Sequence, residues 1–92
     1  MRIRWNPSAT DDLTNICAYI EKNSSPALAR RVALGIYERT ETLKQFPESG
    51  RPGRKKSTRE LILIDIPYLA VYRIRNDAVE ILRILHDAQQ WP

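Results

Sequence analysis

An α+β fold is the class this sequence predicts, on two observations. Apolar residues recur at helical spacing in two segments between residues 8 and 46, whereas after residue 58 they gather in β-branched runs parted by short turns. The resulting order is β-α-α-β-β-β, a helical hairpin packed on one face of a small antiparallel sheet. The 92 residues form a single domain over 1–92, with room for one small core.

Residues 2–5 alternate Arg-Ile-Arg-Trp and predict a short edge strand that Pro7 ends. Ser8 with Asp11 three residues on has the pattern of a capping box opening the first helix. Its stripe is Ala9, Leu13, Ile16, Cys17 and Ile20, against a polar back of Asp11, Asp12, Asn15 and Glu21. Asn23-Ser24-Ser25 breaks that helix, and Ser25 caps a second one with Pro26 at its first position, where a missing N–H does no harm. Ala29, Val32, Ala33, Ile36, Thr40, Leu43 and Phe46 trace its core stripe as far as Pro47. Gly35 interrupts the stripe at a cost of about 1 kcal/mol relative to alanine, which predicts a close helix–helix approach. Three strand-like runs follow: 59–64, 69–74 and 79–85. Asp65-Ile66-Pro67 parts the first two and Arg75-Asn76-Asp77-Ala78 the last two, both short enough for hairpins.

The totals exclude several classes. Apolar content of 42% with 28% charged residues is that of an ordinary globular domain. No apolar run approaches the roughly 20 residues of a membrane span. The lone Cys17 excludes an internal disulfide and a cysteine-based zinc site, and as a small hydrophobe on a helix stripe it fits a reducing cytoplasm. Phosphate loops, dinucleotide fingerprints, nucleophile elbows and metal-spaced histidine pairs are all missing, so neither cofactor nor metal is expected.

Net charge is +4, spread evenly between the two halves of the chain. One window departs from that evenness. Residues 51–59 hold five cations, Arg51, Arg54, Lys55, Lys56 and Arg59, and no acid, in a Gly/Pro-rich loop that runs straight into a strand. Such a loop is either a solubilising surface or a surface that meets an anionic partner, an acidic protein or RNA among them. RNA cleavage would need a base for the 2′-hydroxyl, an acid for the leaving oxygen and cations on the phosphorane. The groups available for it include the sole histidine, His86, with Tyr68, Tyr72, Glu60 and several arginines. Whether Arg59, Arg73 and Arg83 share a face depends on strand register.

The run Tyr68-Leu69-Ala70-Val71-Tyr72-Arg73-Ile74, followed by Val79-Glu80-Ile81-Leu82-Arg83-Ile84-Leu85-His86, resembles the C-terminal half of the ParE/RelE toxin superfamily of type II toxin–antitoxin, or plasmid-stabilisation, modules. Trp5, Ala9-Thr10-Asp11-Asp12-Leu13, Phe46-Pro47, Gly50-Arg51-Pro52-Gly53-Arg54, Thr58-Arg59-Glu60-Leu61 and the terminal Gln90-Trp91-Pro92 extend the resemblance along the whole chain. It implies the β-α-α-β-β-β fold, inhibition of bacterial growth in the cytoplasm, and a cognate antitoxin that wraps the toxin in a hetero-oligomer. ParE-like members of that superfamily poison DNA gyrase by binding, without known enzymatic chemistry. RelE-like members cut mRNA in the ribosomal A site. Where well-known RelE ribonucleases carry an arginine at the start of the middle C-terminal strand this chain has Leu69, and Glu60 and Ile62 replace lysines of the preceding strand. The resemblance therefore favours the gyrase target, with Arg51, Arg54, Lys55, Lys56, Arg59 and Arg73 as its contacts. In the ribonuclease alternative, with ribosome and mRNA as partners, His86, Arg59 and Arg83 would be catalytic. Tyr19, Leu28, Leu34 and Tyr37 fall off the helix stripes and are where an antitoxin helix would sit.

Overall fold

The computed structural model describes residues 1–63 and 65–87. Strand β1 (Arg2–Trp5) leads into helix α1 (Pro7–Asn23) and helix α2 (Pro26–Glu41), which a 3₁₀ turn extends over Thr42–Lys44. Then come β2 (Arg51–Pro52), β3 (Arg59–Ile62), β4 (Tyr68–Arg75) and β5 (Ala78–His86). The sheet has five strands in the order β1-β5-β4-β3-β2. Strand β1 runs parallel to β5, and the other pairings are antiparallel.

The fold class is the expected one, with corrections in detail. The sheet is mixed, because β5, the last strand of the antiparallel run that follows the helical hairpin, lies beside β1 and parallel to it. The basic loop contributes a strand of its own, β2, too short to carry an alternating pattern. Helix α1 is capped by Asn6 with Pro7 at its first position, in place of the Ser8 box, since the Asn6 side chain accepts from the Ser8 N–H. Ser25 caps α2 as expected, accepting from Leu28 N–H at 3.1 Å. Gly35 has no neighbour within 4 Å of where a Cβ would stand, so it marks no close approach. Phe46 is 62% exposed and leaves the core that its spacing assigned it to, because regular helix ends at Glu41 and the periodicity ends with it. The end of the first run, Ile64, and the terminal Gln90-Trp91-Pro92 lie outside the described residues.

The main core lies between the helices and one face of the sheet. Ala9, Val32, Ile36 and Leu43 meet Leu61, Leu63, Ala70, Tyr72, Val79, Ile81 and Ile84 there. A smaller cluster of Leu69, Val71 and Leu85, with Leu82 against it, occupies the opposite face. Pairing continued from the β4–β5 turn would place Leu82 opposite Val71, but a bulge between Val71 and Tyr72 leaves Leu82 over and pairs Tyr72 with Ile81 and Val71 with Arg83. The tight β4–β5 turn puts Asn76 and Asp77 at φ of 53° and 59°, the paired left-handed conformations of a two-residue hairpin.

Candidate functional site

Glu60 organises the basic loop. It is the second residue of β3, directly opposite Arg51 of β2, and is only 2% exposed. Arg51 donates to its Oε1 from Nε and Nη2, at 3.1 and 2.9 Å. Its Oε2 lies 3.7 Å from Arg54 Nε, inside ion-pair range but beyond a hydrogen bond. Between these arginines and the strand the chain turns sharply: Gly53 N–H donates to Thr58 O at 2.8 Å and Ser57 takes a φ of 66°. A β-carbon on Gly53 would stand 2.2 Å from Thr58 Oγ1, so only glycine fits there. Two of the five cations therefore belong to a buried carboxylate.

Arg59 is engaged in the same way. It sits across from Tyr72 on the helix side of the sheet and donates from Nη1 to Gly50 O at 2.9 Å and Glu48 O at 3.2 Å. Tyr72, fully buried, donates to Pro47 O at 2.7 Å and accepts from Gly50 N–H at 2.9 Å. Burial pushes its hydroxyl pKa up, so it stays protonated, with its proton committed to Pro47 O beneath residues 47–50.

At the other end of the sheet a cleft of about 330 Å³ opens between α1 and the ends of β4 and β5, lined by Asp12, Asn15, Ile16, Tyr19, Tyr68, Ile84 and His86. His86 packs edge-on to Tyr68 with ring centroids 5.5 Å apart, and its Nδ1 is 3.3 Å from Asp87 Oδ1. Desolvation first, then the neighbouring Tyr19 and Cys17, raise the Tyr68 pKa. Arg83 clamps Asp12 with Nε–Oδ2 at 2.7 Å and Nη2–Oδ1 at 3.1 Å, while Ile84 N–H also donates to Oδ2. The bond from Asp12 raises the pKa of Arg83 further. Asp12 thus belongs to the seam between α1 and β5, not to a solvated helix back as its spacing implied. The bulge that brings Ile84, whose N–H Asp12 accepts, to the helix side has no signature in the sequence.

Arg59, Arg83 and His86 are not brought together. The β4 partners of Arg59 and His86 are Tyr72 and Tyr68, four residues or about 14 Å apart along the strand, with the width of β4 between them as well. Each arginine is spent on an internal partner. Arg73 faces away from the helices, bound to Glu80 Oε1 at 2.6 Å. Among the described residues no cluster of histidine, cysteine or acids could hold a metal, and no helix is long and apolar enough to cross a membrane.

The four apolar residues expected on the outside are there: Tyr19 is 66% exposed, Leu34 55%, Tyr37 51% and Leu28 38%. Leu34 and Tyr37, three apart on α2, form one patch on the helix back, whereas Leu28 lies nearer the buried stripe. Phe46 joins this exposed apolar set, which spacing alone did not reveal.

Residues 3–91 match the family described as ParE toxin of type II toxin-antitoxin system, parDE. Y4kP of Sinorhizobium fredii, which carries the name of a toxin, is 55% identical over 91 residues, covering 99% of this chain and 93% of that protein. Toxin RelE2 of Caulobacter vibrioides is 35% identical over 88 residues, covering 96% and 97% respectively. A solved structure described as the chromosomal ParDE TA system from P. aeruginosa superposes with a TM-score of 0.88 at 28% identity, over 94% of this chain and 95% of that one. The chain belongs to the ParE toxin family and is the toxin of a ParDE-type toxin–antitoxin system.

Proposed function

We propose that this toxin arrests growth by binding and poisoning DNA gyrase, and that a cognate antitoxin neutralises it by covering the helical hairpin. The observation that carries the binding reading is the separation of Arg59, Arg83 and His86. A ribonuclease needs acid, base and cation around one phosphate, whereas here the two arginines are tied to Glu48 and Asp12 at separate sites. Support for the antitoxin comes from the family and from the exposed Tyr19, Leu34 and Tyr37, apolar area of the kind an amphipathic helix covers.

One observation favours a ribosome-dependent ribonuclease: His86 lines a cleft beside Tyr68 and Tyr19. The variant His86→Gln separates the two. A gyrase binder keeps supercoiling inhibition within about fivefold, because a contact outside a hot spot costs under about 1 kcal/mol. Ribosome-bound mRNA then stays intact with the wild type. Cleavage in the A site that falls about 10²–10⁴-fold in His86→Gln would replace the gyrase reading with the ribonuclease.

A further inference from the structure

Charge is divided between the two layers of the molecule. Helices α1 and α2 carry four cations and five acids, which leaves eleven cations and six acids to the strands and loops. Part of that excess stands on the face of the sheet that the helices do not cover. Ile3, Trp5, Tyr72, Val79 and Ile81 point into the main core, so their strand neighbours Arg2, Arg4, Arg73, Arg75 and Glu80 point the other way. Pairing sets these in two rows, Arg2–Ala78–Arg75 and Arg4–Glu80–Arg73. The arginines of a row are about 10 Å apart and the rows about 7 Å apart, by strand spacing and rise.

The group is held open and rigid. Glu80 takes Arg4 Nη2 on Oε2 at 2.9 Å and Arg73 Nε on Oε1 at 2.6 Å, so one carboxylate aligns two guanidinium groups from strands either side of it. Arg4 remains 51% exposed and Arg73 37%, and Arg2 and Arg75 are exposed. Four arginines against one acid leave a surplus of three positive charges on a flat, pre-arranged surface. The charge surplus fits a polyanion, and two parallel rows of arginines suit a backbone that carries a charge at regular intervals along its length. We propose that Arg2, Arg4, Arg73 and Arg75 form a docking surface for the phosphate backbone of duplex DNA. Arg51 and Arg54 of the basic loop are not part of it, because they serve Glu60.

Binding of a short fluorescein-labelled DNA duplex to the full-length toxin, followed by anisotropy between 50 and 200 mM salt, tests this. Four neutralised phosphates give a log–log salt slope of about −3.6, an about 150-fold weakening over that range. Arg2→Ala with Arg75→Ala removes two contacts without touching Glu80's hydrogen bonds, and the slope falls to about −1.8, an about 12-fold weakening. The helix variant Arg30→Ala with Arg31→Ala, equal in charge loss, keeps the wild-type slope. On the wild-type protein, duplex titration shifts the NMR Nε–Hε signals of Arg4 and Arg73 but not those of Arg30 and Arg31, a readout that needs no variant to fold. No duplex binding at 50 mM salt overturns the proposal, as does an equal slope change in the helix variant. Binding of poly-glutamate in place of duplex assigns the surface to an acidic protein and likewise overturns it. Gyrase is absent throughout, so failure here leaves the gyrase reading untouched, and failure of supercoiling inhibition leaves this one untouched.

Discussion

Two buried polar side chains decide the shape of the loop region. Tyr72 spans the core to reach the backbone of Pro47 and Gly50, which is why the segment after α2 lies flat on the sheet. Tyr72→Phe leaves Gly50 N–H without its partner and is expected to destabilise the fold by about 1–3 kcal/mol in urea unfolding. Glu60 is the second. Replacing Arg51 and Arg54 together by alanine strands its carboxylate and should lower stability by about 2 kcal/mol, short of the 3–5 seen for fully buried pairs because both arginines are about half exposed. Lys55→Ala with Lys56→Ala, at exposed positions, should stay within about 0.5 kcal/mol. Equal losses from the two double variants, measured by denaturant titration, would remove Glu60 from its role as anchor. The cation run read as one basic surface in the sequence because a glutamate early in a strand gives no sign of being buried; its pairing with Arg51 depends on β2, which two residues do not announce.

At the scale of elements, strands β1, β5 and β4 are laced on their outer face by Glu80. Arg73's hydrogen bond, then its charge and those of Arg4 and Arg75, hold the Glu80 carboxyl below its ordinary value. A carboxyl lowered in the folded state contributes stability above its unfolded pKa, near 4.5, and loses it as pH falls through the lower folded value. In Glu80→Gln that acid-side slope is expected to flatten, so variant and wild type converge below pH 4.5 and differ most near neutrality. Melting curves from pH 3 to 7 check it, and a constant offset across that range would deny the linkage. Element types and order were legible because two helix stripes and three strand runs each hold one period long enough to count. Partnering was not. Parallel pairing of β1 with β5, the bulge that sets Val71 opposite Arg83, and the distance between Arg59 and His86 all follow from register, which alternation alone leaves open.

For the whole molecule, the exposed apolar residues on α2 set the expected antitoxin contact. Leu34→Ala with Tyr37→Ala removes a patch that is more than half exposed, so the isolated toxin should lose under about 0.5 kcal/mol of stability. Affinity for the antitoxin, by calorimetry, should weaken by about 2 kcal/mol or more, roughly 30-fold, if the tyrosine is an anchor. Unchanged affinity would move the antitoxin to another face.

The first strand finds its neighbour only in the last one. Arg2 pairs with Ala78 and Trp5 with Ile81, so β1 stays without a sheet while the intervening chain is made. At ribosomal speeds of about 5–20 residues per second, that wait lasts roughly 4–15 seconds. In that interval α1 and α2 are made without β5, whose Val79, Ile81 and Ile84 complete their core. The core that the two helices share with the sheet therefore stays incomplete until the last strand of that sheet is added to the chain.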